Sequence, residues 1–231
     1  GMAILSAALE FASATDPGRV RSHNEDSIGT EPDMGLAVLA DGMGGYNAGE
    51  VASGIAVAVV SAETKRALAG RVLHAVDPAT GETEAERLTR EHSAKANTSI
   101  FEAARSQPQY AGMGTTLLVA HFFDNRVCVA HVGDSRLYRL RGEALEQITR
   151  DHSLLQEQID SGMITREAAK LSQNKNLVTR ALGIDAEVDT EVHVHETRPG
   201  DTYLLCSDGL SDMVGDEEMQ LTLTNLQANL Q

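Results

Sequence analysis

Positive charge is scarce in this chain. Nineteen Lys and Arg stand against 34 Asp and Glu, a formal net charge of −15. That balance argues against nucleic acid or an anionic membrane surface as the main partner. Cysteine is scarce too. Cys128 and Cys206 are the only two, and both lie in apolar runs, which reads as buried free thiols rather than a disulfide. No apolar run reaches membrane-spanning length, no signal peptide is found, and low-complexity tracts are absent. The expectation is a soluble cytoplasmic protein, with 231 residues forming one domain large enough to bury a sizeable core.

What the chain does have is a repeated pairing of aspartate with glycine at the ends of apolar runs. Asp41-Gly42 follows Val38-Leu39-Ala40 and opens the stretch Asp-Gly-Met-Gly-Gly. Gly133-Asp134 follows Val129-Ala130-His131-Val132, and Asp208-Gly209 follows Leu204-Leu205-Cys206-Ser207. Each run reads as a buried strand that a turn ends. One such turn is ordinary, since Asp and Gly are common turn residues. Three suggest carboxylates converging on one pocket, where they repel one another and call for hard divalent cations.

Between these points the pattern predicts helices and paired strands. Gly49 to Leu68 reads as a helix with Val51, Ile55, Ala58, Val59 and Ala62 as its apolar stripe. Glu84 to Arg105 reads as a second helix, after a loop. Thr115–Phe123 and Arg126–Val132 form a hairpin across Asp124-Asn125, and Leu137–Leu140 pairs with Ala144–Ile148. Short helices are expected at Ser153–Ser161 and Thr165–Leu171. Strands are expected at Leu9–Thr15, Glu187–His195 and Tyr203–Cys206, and a last helix is capped by Asp216. Strands in neighbouring pairs with helices in blocks predict an α+β fold of antiparallel sheets with helices outside.

Seven motifs then occur in order: Arg-x-x-Asn-Glu-Asp (21–26), Asp-Gly-Met-Gly-Gly (41–45), Gly-Met-Gly-Thr-Thr (112–116), Gly-Asp-Ser-Arg (133–136), Asp-His-Ser (151–153), Thr-Arg-Ala-Leu-Gly (179–183) and Ser-Asp-Gly-Leu (207–210). The chain resembles the bacterial metal-dependent Ser/Thr protein phosphatases of the protein phosphatase 2C family. The resemblance implies a four-layer α-β-β-α sandwich and two Mn²⁺ or Mg²⁺ ions, with a third in bacterial members. By the same resemblance Asp41 bridges the ions, the Gly42 carbonyl binds one and Asp208 the other. Glu25 acts through bound water, Asp134 holds the third ion, and Arg21 holds the substrate phosphate. Asp26, Asp151 and Tyr46 are weaker candidates, and residues 151–182 resemble the flap beside the site. The implied reaction is hydrolysis of phosphoserine and phosphothreonine in proteins by an activated water, opposing a bacterial Ser/Thr kinase. A two-ion centre suits so inert a bond, and neither cysteine stands in a Cys-x₅-Arg arrangement. A monomer is expected.

The chain also departs from the family. Met43 and Tyr46 stand where relatives carry histidine, so no general acid is identified; a phenol is a poor match for neutral pH. No Gly-x-Asp-Asn follows Asp208. Either the sequence stops early or the final strand and its metal ligand are lost. The alternative reading is therefore a catalytically impaired phosphoprotein-binding or regulatory member of the same fold. A metallonuclease is disfavoured by the charge and the lack of a basic groove. His193 and His195 on one strand face could hold zinc but are better read as solvated. His131 is read as a core side chain, and Asp151 as a cap for the helix at Ser153.

Overall fold

A computed structural model of the chain describes residues 25–172 and 177–207. Strands β1 (Asp26–Glu31) and β2 (Leu36–Met43) are joined by a 3-10 turn and followed by helices α1 (Ala48–Ala67) and α2 (Glu84–Ser106). Then come β3 (Gly114–Thr115), β4 (Leu117–Phe123), β5 (Arg126–Val132), β6 (Arg136–Arg141) and β7 (Ala144–Gln147). Two short helices, α3 (Leu154–Asp160) and α4 (Arg166–Ala169), precede β8 (Glu191–Glu196) and β9 (Thr202–Cys206). The large antiparallel sheet runs β1-β2-β4-β5-β8, with β3 paired to β2; the smaller runs β7-β6-β9. The strand expected at Leu9–Thr15 and the helix expected after Asp216 lie outside the described residues.

Alternation splits the core in two. Leu36, Val38 and Ala40 of β2, Leu117 and Val119 of β4, and Cys128 and Ala130 of β5 pack under the helices. Leu39, Leu118, Phe122 and Val129 face the other way, onto Leu137, Tyr203 and Leu205 of the smaller sheet. Phe122 meets the Tyr203 ring edge-on at 5.2 Å between centroids. The cysteines are free and buried, and burial pushes both thiols up to about 12.

Three expectations need correction. The stripe that α1 buries most deeply is Ala48, Ala52, Ser53, Ala56, Val60 and Thr64, and Ala58 and Ala62 are exposed. Small side chains let the helix lie close on the sheet, and Val51, Ile55, Val57 and Val59 fill its flanks. The aspartate of Asp-Gly-Met-Gly-Gly does not end its strand: β2 continues through Met43, and the turn falls at residues 44–47. Gly42 is needed for packing, since a Cβ there would lie 1.9 Å from the Gly49 carbonyl oxygen. Finally, the strand expected at 187–195 spans only Glu191–Glu196, the residues that find partners on β5.

A carboxylate site at the end of the large sheet

β1 was not anticipated as a strand, yet it builds the site. Its pairing with β2 sets Asp26 opposite Asp41 and Ile28 opposite Leu39. Ile28 and Leu39 face the smaller sheet, so Asp26 and Asp41, two residues along each strand, share that face. Opposed residues of an antiparallel pair lie about 5 Å apart at Cα. Two carboxylates at that spacing repel, and a cation between them relieves the repulsion. Asp41 is 5% exposed.

Glu25 closes the site from behind. Its carbonyl accepts hydrogen bonds from the Gly42 N–H at 3.1 Å and the Ser53 hydroxyl at 2.7 Å. Its carboxylate lies against Gly49 in the first turn of α1, where a Cβ would come within 2.7–3.0 Å of it. Gly42 and Gly49 together thus clear space for Glu25. Across β2, Thr116 holds Asp41 in place: its N–H donates to the Asp41 carbonyl (2.9 Å) and its Oγ1 accepts from the Asp41 N–H (3.0 Å). Thr116 Oγ1 also shares a 2.7 Å hydrogen bond with Ser135. Asp134, 4% exposed, sits in the turn between Gly133 and Ser135. Cys206 pairs with Arg136 at this same end of β6. Arg21 and Asp208 lie outside the described residues. Glu25, Asp26, Asp41, the Gly42 carbonyl and Asp134 offer only oxygen donors, the chemistry that Mg²⁺ or Mn²⁺ takes, but among the described residues no three of these carboxylates bring ligand atoms within 4.8 Å of one another.

Asp151 does not cap a helix. The Ser153 hydroxyl does, accepting from the Gln156 N–H, while Asp151 takes a forked hydrogen bond from Arg136 at 2.7–3.2 Å. Burial alone would lower the Arg136 guanidinium; the bonds and charge of Asp151 outweigh it and hold it above its ordinary value. Tyr46 is 93% exposed with a left-handed φ of 54°, in the loop that connects β2 to α1.

The remaining motifs have structural reasons. Gly183 has φ 89°, a Cβ there would lie 2.1 Å from Ile100 Cγ2, and its N–H donates to Asn97 Oδ1 at 2.7 Å. Met113 is fully buried, and Thr115 exchanges two backbone hydrogen bonds with Leu182. That exchange is why β3 separates from β4, where one strand was expected. The sequence assigns no role to Thr116, Ser53 or Ser135: the first two hydroxyls act on backbone groups, and Ser135 acts on Thr116.

His131, His152 and Glu191 form a second group, with candidate donor atoms within 4.8 Å of one another. It is not arranged for a metal. The Arg150 carbonyl can only accept, so His131 Nε2, 2.8 Å away, carries a proton. The Gly133 N–H can only donate, so His152 Nδ1 carries none and its proton sits on Nε2. The one Nε2–H of His131 is spent on that carbonyl, with Glu191 3.5 Å from the same nitrogen, and His152 Nε2 lies 4.0 Å from Glu191. The rings are stacked at 4.5 Å and 17°, so their planes do not meet on a shared ion. Burial lowers His131 and holds His152 down to about 3, so both are neutral. His193 is exposed, and the His193 and His195 rings lie 6.4 Å apart, in no cluster of three metal-capable side chains among the described residues.

Comparisons with known proteins identify the family. The family profile described as protein phosphatase 2C matches residues 18–230. The chain is 40% identical over 209 residues to the Listeria monocytogenes serine/threonine phosphatase stp, covering 89% of this chain and 79% of that one. It matches the crystal structure of Mycobacterium tuberculosis serine/threonine phosphatase PstP with a TM-score of 0.81 at 39% identity, over 92% of this chain and 83% of that one. The PstP catalytic domain in complex with two manganese ions matches at a TM-score of 0.77 and 38% identity, over 92% and 83%. The profile match across most of the chain and relatives at about 40% identity show that the chain belongs to the protein phosphatase 2C family.

Proposed function

We propose that this chain hydrolyses phosphoserine and phosphothreonine in proteins, using divalent cations held at the end of its large sheet. It is a metal-dependent protein-serine/threonine phosphatase. The observation that carries the reading is the Asp26–Asp41 pair, with Glu25 and Gly42 behind it and the Asp134 turn beyond Thr116, where an otherwise apolar inter-sheet core ends. Asp41 and the Gly42 carbonyl would hold the ions with Glu25 in support, Asp134 would hold a further one, and Asp26 would orient its neighbours. Arg21 receives the phosphate and Asp208 completes the set. When bound, Mn²⁺ or Mg²⁺ supply positive charge for the phosphoryl oxygens and activate the attacking water. The chain's own contribution is rigidity: the Asp41 backbone is fixed at both polar groups by Thr116, so the carboxylate needs little rearrangement as charge develops.

The natural substrates are phosphoproteins, among them a bacterial Ser/Thr kinase and its targets, met in the cytoplasm by a monomeric enzyme. No described helix is long and apolar enough to cross a membrane. Residues 151–182 act as a flap that selects among substrates; Met163 and Leu171 there are exposed. Relatives of about 40% identity that bear the name serine/threonine phosphatase favour an enzyme over the regulatory alternative.

The test is turnover of p-nitrophenyl phosphate and a phosphothreonine peptide with Mn²⁺, with and without EDTA. Turnover should require Mn²⁺, stop with EDTA and return with added metal. Activity indifferent to EDTA would end the reading, and Mn²⁺ binding without turnover would restore the regulatory one.

A further inference from the structure

His152 stands at the root of segment 151–182 and is bonded on both sides. Its N–H donates to the Gly133 carbonyl at 2.9 Å, and the Gly133 N–H donates back to its Nδ1 at 3.1 Å. Both polar groups of Gly133 are therefore held by one residue. On the other side the His152 carbonyl accepts from the Thr179 N–H at 2.9 Å, and Ser153 bridges to Val178. The outgoing and returning limbs of the segment meet here. Gly133 packs closely on Thr116 at φ 106°, where a Cβ would lie 2.7 Å from Thr116 Cγ2, so no larger residue fits at this position. Asp134 thus sits between Gly133, fixed by His152, and Ser135, fixed by the same Thr116 that holds Asp41. His152 is 7% exposed, and its Nε2 has no hydrogen-bond partner among the described residues. Its bonding is concentrated at Nδ1 and the backbone.

We infer that His152 is a positioning residue: its Nδ1 sets the orientation of the Gly133 peptide, and so the direction from which Asp134 enters the site, and locks that turn to the flap root. The inference rests on the reading of Asp134 as a cation ligand. It separates Nδ1 from the rest of the ring, and three substitutions separate them in the laboratory. His152→Asn keeps an acceptor where Nδ1 stood, His152→Gln moves the polar group out to the Nε2 position, and His152→Leu has neither. Asp134→Ala serves as the reference.

The readouts are the Mn²⁺ concentration for half-maximal turnover and calorimetric counting of Mn²⁺ sites, each at a temperature below the variant's thermal midpoint. A buried N–H left without its acceptor is costly enough to predict a shift of about tenfold. His152→Leu and His152→Gln should raise the half-saturating Mn²⁺ concentration by that amount, in the direction of Asp134→Ala. His152→Asn should stay within about twofold of the parent. If Asp134→Ala leaves Mn²⁺ binding unchanged, the ligand reading fails and takes the inference with it. If Asp134→Ala shifts binding and His152→Leu does not, the inference alone fails. Should the leucine variant not fold, Asn against Gln decides: equal effects overturn the inference, and rescue by Asn alone supports it.

Discussion

Two neighbouring rows of the large sheet run across the same strands and do opposite things. Ile28, Leu39 and Leu118 stand side by side, and all pack against the smaller sheet. Two residues along, the row is Asp26, Asp41 and Thr116. The first row is what an inter-sheet core calls for. The second places two carboxylates at the end of that core, where they cost stability through desolvation and mutual repulsion. The difference teaches that the acidic row cannot be explained by folding, and that the apolar row anchors it: a strand whose middle is locked cannot let its end drift.

The largest expected effect breaks the second row without the first. Asp41→Asn should reduce turnover of a phosphopeptide by on the order of a thousandfold. It should leave the metal-free thermal midpoint unchanged or raised, because a repelling charge is removed. Loss of activity accompanied by a large loss of stability would mean that Asp41 is structural, and that the contrast between rows is false. The reverse experiment is Leu118→Ala, at a fully buried position. It should cost about 2–5 kcal/mol of unfolding free energy in urea titrations. The turnover number, measured where the variant is still folded, should hold within about twofold, since nothing beyond packing is removed.

How much of this contrast could be read in advance differs between the rows. Leu36–Ala40 announces itself as a buried strand, and the motifs carrying Asp41, Asp134 and Glu25 mark them as candidates. β1 was invisible because Asp-Ser-Ile-Gly-Thr-Glu offers one large apolar side chain, Ile28, and its strand character comes from pairing with β2. The end of β2 was misplaced because glycines read as turns, whereas Gly42 is required by a contact with Gly49 seven residues away. The buried face of α1 was misjudged because valine outweighs alanine in any hydrophobic count, yet close approach to a sheet selects the smaller residue. Thr116 and His152 lie inside the ordered motifs, but their roles were not legible because they act on the backbone of Asp41 and Gly133.

A third row, at the far end of β4, sharpens the comparison through pH. His121 sits opposite Leu36, 4% exposed, with Nε2 donating to the Met34 carbonyl at 3.1 Å. Burial pulls it down to about 4, against the opposing pull of that hydrogen bond. The folded state therefore keeps it neutral while the unfolded chain, near 6.5, takes up a proton. Its contribution is complete above about pH 6.5 and is lost as pH falls toward 4, by up to about 1.4 kcal/mol per pH unit. Urea titrations between pH 7.5 and 4.5 should show this slope, and His121→Gln should flatten it relative to the parent. An unaltered slope would show that this buried polar residue is not the titrating group.

The smallest effect concerns Tyr46, the one candidate for the general acid that survives at the site's rim. A general acid must hold its proton against the leaving oxygen with a pKa suited to the working pH, and it is best shielded from water. Tyr46 meets neither condition: it is a phenol, and at 93% exposure its ring stands in solvent. Its left-handed φ of 54° is strained for a bulky side chain. That strain falls in the short turn between the end of β2 and the start of α1, residues 44–47. Tyr46→Phe keeps the backbone demand and removes only the proton. It should leave the turnover number within about twofold, on a phosphopeptide and on p-nitrophenyl phosphate alike. A loss of about a hundredfold on the phosphopeptide would instead assign the proton to the phenol. The alkoxide of serine is a far poorer leaving group than nitrophenolate, so that loss should shrink on p-nitrophenyl phosphate. The pair of substrates therefore separates a proton donor from a residue that only shapes the turn.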